Sequence, residues 1–155
     1  MGDDAVRWLD DDEQEVWRAY LDVMRLLMDR LQKQVSEDSG LSLGEYEVLV
    51  QLSEAPDRQL RMSELAARIV HSRSRLTHTV GRMEKRGLVR REPCEDDGRG
   101  VMCTLTAPGF DVLVDAAPGH VEAVRQAIFD PLSPADVQAL GVAMDKVRAD
   151  LRPTR

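Results

Sequence analysis

The stretch SELAARIVHSRSRLTHTVGRMEKRGLVRRE, residues 63–92, carries two short helical patterns joined by a tight turn. In the first pattern Ser63 is the predicted N-cap, and the residues predicted to face the core are Leu65, Ala66 and Ile69. In the second pattern Ser72 is the predicted N-cap and Gly87 the predicted stop. Two short helices joined in this way form the helix-turn-helix arrangement.

The second of these helices has two chemically different faces. At about 100° per residue, Leu76, Val80 and Met83 fall on one side and form the predicted core stripe. The opposite side collects basic and hydrogen-bonding residues: Ser74, Arg75, His78, Arg82 and Lys85. Arg73 and Thr77 fall at its flank. The major groove of B-DNA, roughly 12 Å wide, admits such a helix, and these side-chain types reach phosphates and base edges there. We therefore predict a DNA-binding face made of these residues together with Ser72.

Charge is distributed unevenly along the 155-residue chain, whose formal net charge is −7. Residues 1–16 contain seven acids and one base, whereas residues 58–91 contain ten bases and two acids, a local charge of +8. Because a polyanion responds to the local field, the overall acidity does not exclude nucleic-acid binding. A solvated charged surface is the simpler alternative.

A β-hairpin is predicted directly after Gly87. Two β-branched, apolar segments, LVRREP and VMCTLT, flank the loop CEDDGRG. Arg99 lies between two glycines at the tip of this loop. Beside a DNA-reading helix, an Arg at this position is placed to enter the minor groove, whose negative potential attracts it.

The rest of the chain is predicted to be helical. A first long helix from about residue 11 carries two apolar stripes, more than one packing face requires. Ser42 and Glu45 form a capping-box pattern before a second helix. After the hairpin, an apolar helix contains Pro118, and Ser133 caps a final helix with Asp136 at its third position. The apolar faces of the terminal helices predict a homodimer, with a monomeric helical core as the alternative.

Catalysis and metal binding are not indicated by the sequence. No nucleophile–base–acid set stands out, and the three histidines, His71, His78 and His120, lack metal-ligand spacing. We therefore expect no enzyme activity, no metal and no cofactor. Cys94 and Cys103 flank the hairpin loop and could meet across it, although two reduced thiols are the expectation for a cytoplasmic protein. The apolar runs are too short for a membrane helix, which predicts a cytoplasmic protein without a membrane partner.

These features resemble the multiple antibiotic resistance regulator (MarR) family. The strongest matches are MEKRGLVRR, the hairpin sequence DGRGV and the LT that opens the next helix. The resemblance implies a mainly α-helical winged helix-turn-helix fold with a small β-hairpin wing, forming a single domain over residues 1–155. It implies dimerisation helices at 11–37 and 107–151 around a DNA-binding lobe at 42–106, with the helix-turn-helix at about 62–86 and the wing at about 88–106. Gly98 departs from the family, where many members place Arg or Lys beside the tip Arg.

The resemblance also implies a function. Family members bind small, often aromatic or phenolic, anions between the dimerisation helices and the DNA-binding lobe, which makes Trp17, Tyr20, Met24 and Tyr46 the candidate ligand contacts. No Cys lies near the start of the first helix, where the redox-sensing branch carries its reactive residue. We expect a homodimeric repressor that occludes an inverted-repeat operator in double-stranded DNA and is released by a ligand. The alternative is a winged-helix protein-interaction module whose basic face docks an acidic partner.

Overall fold

The computed structural model describes residues 6–69, 73–94 and 100–151. Over these residues the chain forms six α-helices and one three-stranded antiparallel sheet, which confirms the predicted fold class. In chain order the elements are α1 (Asp11–Ser39), α2 (Leu43–Ser53), β1 (Gln59–Arg61), α3 (Met62–Arg68), α4 (Arg73–Lys85), β2 (Val89–Pro93), β3 (Val101–Leu105), α5 (Ala107–Val124) and α6 (Pro134–Leu151). A short 3-10 turn, Pro56–Arg58, precedes β1, and a π-helical turn, Arg125–Phe129, continues α5.

Helix ends follow local hydrogen-bonding chemistry. The predicted capping box at Ser42 and Glu45 is present, and so is the reciprocal pair of bonds between Ser133 and Asp136. At Gly87, where φ is +73°, the α4 helix ends as predicted. The N–H groups of Gly87 and Leu88 donate to the carbonyls of Glu84 and Met83, which closes the last turn.

The predicted cap of α3 is wrong. Arg61 occupies the N-cap position without a side-chain cap bond, and Ser63 lies inside the first turn. The reason is that β1 runs directly into α3, so the helix begins two residues earlier than a Ser63 cap would allow. The predicted cap Ser72 lies outside the described residues.

The sheet contains one more strand than predicted. Its order is β1-β3-β2, so β3 pairs with β2 as the predicted hairpin does and also pairs with β1. Within β1, Leu60 is buried opposite Cys103. A strand of three residues is too short to show the alternating pattern by which strands are predicted.

One hydrophobic core joins α2, α3, α4 and the sheet with parts of α1 and α5. The predicted stripe Leu76, Val80 and Met83 is buried, with exposed fractions of 2%, 0% and 0%. Other members from the helices are Val35, Tyr46, Val48, Leu49, Leu52, Leu65, Ala66 and Ile69, and those from the sheet and its junctions are Leu60, Leu88, Val89, Cys103 and Leu105. This core fixes α4 by one face and leaves its opposite face to solvent.

The first turn of α5 is docked against the junction between α4 and β2. The Thr106 hydroxyl donates to the carbonyl oxygens of Gly87 and Leu88, at 2.7 and 2.9 Å, while also capping α5. A Cβ atom at Gly109 would lie 2.0 Å from the Leu88 carbonyl oxygen, so this approach requires glycine. The end of α4 is therefore tied to the beginning of α5.

Three helices, α1, α5 and α6, carry apolar side chains that are exposed to solvent. No described residue of α6 is buried, and the exposed large apolar side chains of α1, α5 and α6 include Val16, Trp17, Leu21, Val23, Leu26, Val114, Val121, Val142, Met144 and Val147. None of the helices described here is long and apolar enough to span a membrane.

The two cysteines are free and do not face each other. Cys103 pairs with Arg91 across the ladder, whereas the Cys94 N–H donates to the Gly100 carbonyl oxygen at 2.9 Å. The Cα atoms of the two cysteines are thus three residues apart along the ladder, roughly 10 Å. A disulfide requires Cα atoms within about 7 Å, so the expectation that these cysteines could meet across the hairpin does not hold in this register.

Candidate nucleic-acid interface

The solvent-facing side of α4 carries most of the predicted DNA-binding residues. Five of them are exposed: Ser74, Arg75, Thr77, His78 and Lys85. The Arg82 side chain is also exposed, at 60%. Ser72, Arg99 and the side chain of Arg73 lie outside the described residues. Because the opposite stripe of α4 is buried, these six side chains project from a single face, which we call the basic face.

A shallow groove runs between the basic face and strand β2. Its volume is about 300 Å³, and its walls include Thr77, His78, Gly81, Lys85 and Arg91. At Gly81 the missing side chain keeps the wall low. The groove is therefore shallow and open, and basic and hydrogen-bonding side chains line its edges.

Glu84 and Arg91 connect the basic face to the wing. The Glu84 carboxylate accepts hydrogen bonds from the Arg91 backbone N–H at 2.9 Å, from Nε at 3.0 Å and from Nη2 at 2.7 Å. These bonds hold the pKa of Glu84 below its ordinary value. Since Glu84 belongs to α4 and Arg91 to β2, the pair fixes the wing strand relative to the basic face. Sequence reasoning missed this pair, because seven residues and a turn separate its members.

Glu45 was predicted only as a capping residue, and it also contacts the basic face. Its Oε1 lies 3.5 Å from Arg82 Nε, and its Oε2 lies 3.5 Å from Arg86 Nη1. Glu45 is 5% exposed and is a buried charged residue among the core. The N-terminus of α2 therefore holds two arginines of the α4 segment.

A cavity of about 410 Å³ lies between α1, α2, α3 and α5. Its walls include Met28, Leu31, Tyr46, Arg68 and His120. The rings of Tyr46 and His120 are 4.5 Å apart between centroids. Burial raises the pKa of Tyr46 and lowers the pKa of His120. The buried His120 Nδ1 has no hydrogen-bond partner among the described residues.

The predicted ligand contacts do not all lie at this cavity. Tyr46 is part of its wall. Trp17, Tyr20 and Met24 lie nearer the beginning of α1, with exposed fractions of 50%, 41% and 39%, and Trp17 stacks on Tyr20 at 5.9 Å between centroids. Met28 is the first α1 residue that lines the cavity, and Trp17 lies 11 residues before it, about 16 Å along the helix. The sequence analysis gave His120 no role at a cavity, because a lone His after Pro-Gly gives no signal of one.

No group of three or more His, Cys, Asp or Glu side chains suited to a metal occurs within the described parts of the chain. The Cys103 thiol is unsuited to nucleophilic chemistry, since burial raises its pKa to about 12. The chemistry that this region offers is charge and hydrogen bonding on an exposed helix face.

Comparison with known proteins gives a consistent family. The family model described as MarR family matches residues 39–100. The crystal structure of Sco3205, a MarR family transcriptional regulator from Streptomyces coelicolor in complex with DNA, is 48% identical; the match covers 97% of this chain and 94% of Sco3205, with a TM-score of 0.92.

Two curated relatives agree. The HTH-type transcriptional regulator PecS of Dickeya dadantii is 31% identical over 128 residues, which cover 81% of this chain and 76% of PecS. The HTH-type transcriptional repressor YetL of Bacillus subtilis is 29% identical over 111 residues, which cover 70% of this chain and 66% of YetL. The fold, the motifs and these matches agree: the chain belongs to the MarR family of transcriptional regulators.

Proposed function

We propose that this protein is a homodimeric transcriptional repressor that binds an inverted-repeat operator in double-stranded DNA and is released by a small ligand. The observation that carries the proposal is the basic face of α4, exposed opposite a fully buried stripe. An exposed helix of this kind fits the major groove, and its side chains are those that pair with phosphates and base edges. The DNA complex of the similar regulator Sco3205 supports the same use of the fold.

Within this proposal the residues have distinct roles. Arg75, His78 and Arg82 read base edges. The remaining predicted residues of the helix, Ser72, Arg73, Ser74, Thr77 and Lys85, contact the phosphate backbone and set the register. Arg99 at the wing tip enters the adjacent minor groove. A repressor must have access to the chromosome, and we therefore propose that this protein is cytoplasmic.

Dimerisation through the chain ends completes the DNA-binding surface. We assign residues 11–37 and 107–151 to the dimer interface and residues 42–106 to the DNA-binding lobe. The uncovered apolar side chains of α1, α5 and α6 support this assignment, because contiguous exposed apolar surface of this kind marks an interface. A two-fold dimer presents two copies of α4 about 34 Å apart, one turn of DNA, which requires an inverted repeat.

Ligand release is assigned to the cavity beside α2. A volume of about 410 Å³ falls within the range of small-molecule sites. Its apolar and aromatic walls, the His120 Nδ1 that no described residue hydrogen-bonds, and Arg68 in the wall suit a small aromatic or phenolic anion. Trp17, Tyr20 and Met24 would join such a site only where the partner protomer closes over them. The repressor YetL supports repression as the outcome of binding.

Footprinting on genomic fragments that the protein retains tests the proposal. A protected site with two-fold symmetry that overlaps a promoter is the expected result. Retention of all fragments alike, with no protected site, would contradict it and favour a protein-interaction module whose basic face docks an acidic partner. Transcription from the protected promoter, with and without the protein, separates repression from activation.

A further inference from the structure

The carboxylate of Glu45 is buried where a capping residue is normally exposed. Its Oε2 accepts the Ser42 N–H at 2.9 Å, and the Ser42 hydroxyl in turn accepts the Glu45 N–H at 3.2 Å. A capping box is satisfied equally by Glu or Gln. The cap therefore does not explain why an ionisable side chain occupies a position that is 5% exposed, where an unpaired charge is costly.

The two arginines of the α4 segment account for this charge. Arg82 approaches Oε1 through Nε, and Arg86 approaches Oε2 through Nη1, both at 3.5 Å. Arg86 Nη1 also donates to the Gly40 carbonyl oxygen at 3.5 Å, so Arg86 is anchored to the loop before α2. Arg82 differs, because its side chain is 60% exposed and belongs to the basic face.

The contact engages Arg82 at its inner edge. Nε is the Arg82 atom that this ion pair joins to the buried carboxylate, at 3.5 Å from Oε1, which leaves the edge formed by the two Nη groups as the outer one. That outer edge is the part of a guanidinium that donates two parallel hydrogen bonds to the O6 and N7 atoms of guanine. A long Arg side chain otherwise loses rotamer freedom on binding, and a fixed partner removes part of that cost beforehand.

We propose that Glu45 is a positioning residue that orients Arg82 of α4 for reading a base edge, a proposal that rests on the proposed DNA-binding function. Glu45 itself touches no DNA. Its charge also opposes indiscriminate attraction of phosphates at this end of the basic face. Both effects raise the ratio of specific to random affinity. Orientation strengthens binding to the correct base, and the negative charge weakens binding to any other sequence.

The test compares the full-length protein with Glu45→Gln on three kinds of DNA: the footprinted operator, operators with single base-pair changes, and random fragments. Arg82→Ala first identifies the base pair at which discrimination depends on Arg82. Glu45→Gln keeps the capping box and should lose about fivefold or more of the discrimination at that same base pair. Its affinity for random DNA should be unchanged or higher. In the Arg82→Ala background, Glu45→Gln should cause no further loss.

Arg86→Ala is the matched control, because it removes the other arginine at Glu45. It should lower stability but leave discrimination at the Arg82 base pair unchanged. The ratio of specific to random affinity does not depend on the folded fraction, so a less stable Glu45→Gln variant still gives a result. Unchanged discrimination in Glu45→Gln, an equal loss at every base pair, or an Arg82→Ala variant that relaxes no base pair would each overturn the positioning role. Wild-type protein that does not distinguish operator from random DNA would instead contradict the proposed function.

Discussion

The guanidinium carbon of Arg58 lies 3.6 Å from the centroid of the Phe110 ring. Arg58 ends the turn before β1, and Phe110 is in the first turn of α5, so this cation–π contact joins the sheet region to a helix that we propose forms part of the dimer interface. Asp57 and Arg58 both adopt left-handed backbone conformations, with φ of 53° and 54°. Such conformations are costly for non-glycine residues and persist where surrounding contacts hold them.

Removing the ring should therefore destabilise the lobe slightly. Phe110→Leu keeps most of the apolar volume but loses the π face, and we expect the free energy of unfolding to fall by about 0.5–1 kcal/mol from this contact. Urea unfolding at fixed protein concentration measures the change. Phe110→Tyr, which keeps the ring, is the control and should remain close to wild type. Equal losses in both variants would mean that the ring face is not what stabilises the turn.

His120 should make stability depend on pH. Burial lowers its native pKa, so the unfolded chain, with a His pKa of about 6.5, binds more protons between the two values. The free energy of unfolding should therefore be fully developed above about pH 6.5 and should decrease as the pH falls through this value. His120→Gln lacks this titration, and its unfolding free energy should change less between about pH 7.5 and about pH 5.5. The same slope in both proteins would assign the pH dependence to other groups.

Cys103 should resist alkylation in the folded protein. Its side chain is fully buried and its pKa is raised to about 12, so almost no thiolate forms at neutral pH. Timed labelling with iodoacetamide, read by mass spectrometry, should modify Cys103 only at the rate of unfolding. Labelling of the Cys103→Ser variant identifies which mass-spectrometric signal comes from Cys103. Rapid modification in native buffer would contradict the burial of this thiol.

The sequence predicted those features that depend on neighbouring residues. The spacing of Leu76 and Val80 predicts the buried stripe of α4. Gly87 predicts the end of this helix, because the chain turns there with a positive φ. The contacts that organise the basic face could not be predicted in this way. Glu45 reaches Arg82 across 37 positions of sequence, and only the packing of α2 against α4 brings them together.

The same limit applies to the candidate ligand site. Tyr46 lines the cavity, but the aromatic pair Trp17 and Tyr20 lies nearer the beginning of α1, before the residues of that helix that reach the cavity. Helical spacing predicts the helix face on which a side chain lies, but not which neighbouring elements it lies beside. His120 reaches the cavity because α5 packs against α1, a fact that no local pattern contains.

Individual residues of the basic face should separate by role. Alanine at Arg75 or His78 should cost roughly 1–3 kcal/mol of specific binding with a smaller change on random DNA, as expected for base-edge contacts. Alanine at Thr77, at the flank of the face, should weaken binding to specific and random DNA alike. Dissociation constants at one fixed salt concentration measure both. If Arg75→Ala lost the same affinity for specific and random DNA, Arg75 would be assigned to a phosphate contact and not to a base edge.

The central claim, a two-fold dimer that reads two half-sites with paired copies of α4, is tested most directly by changing the spacing of the operator. Inserting about 5 base pairs between the half-sites rotates one of them by about half a turn of DNA, while every base contact within each half-site is retained. The dimer can then engage only one half-site at a time, and affinity should fall to near that of a fragment with a single half-site. A matched operator of the same length, with the insertion outside the two half-sites, should keep full affinity. Undiminished binding to the operator with the widened spacing would contradict the two-fold arrangement and assign recognition to a single protomer.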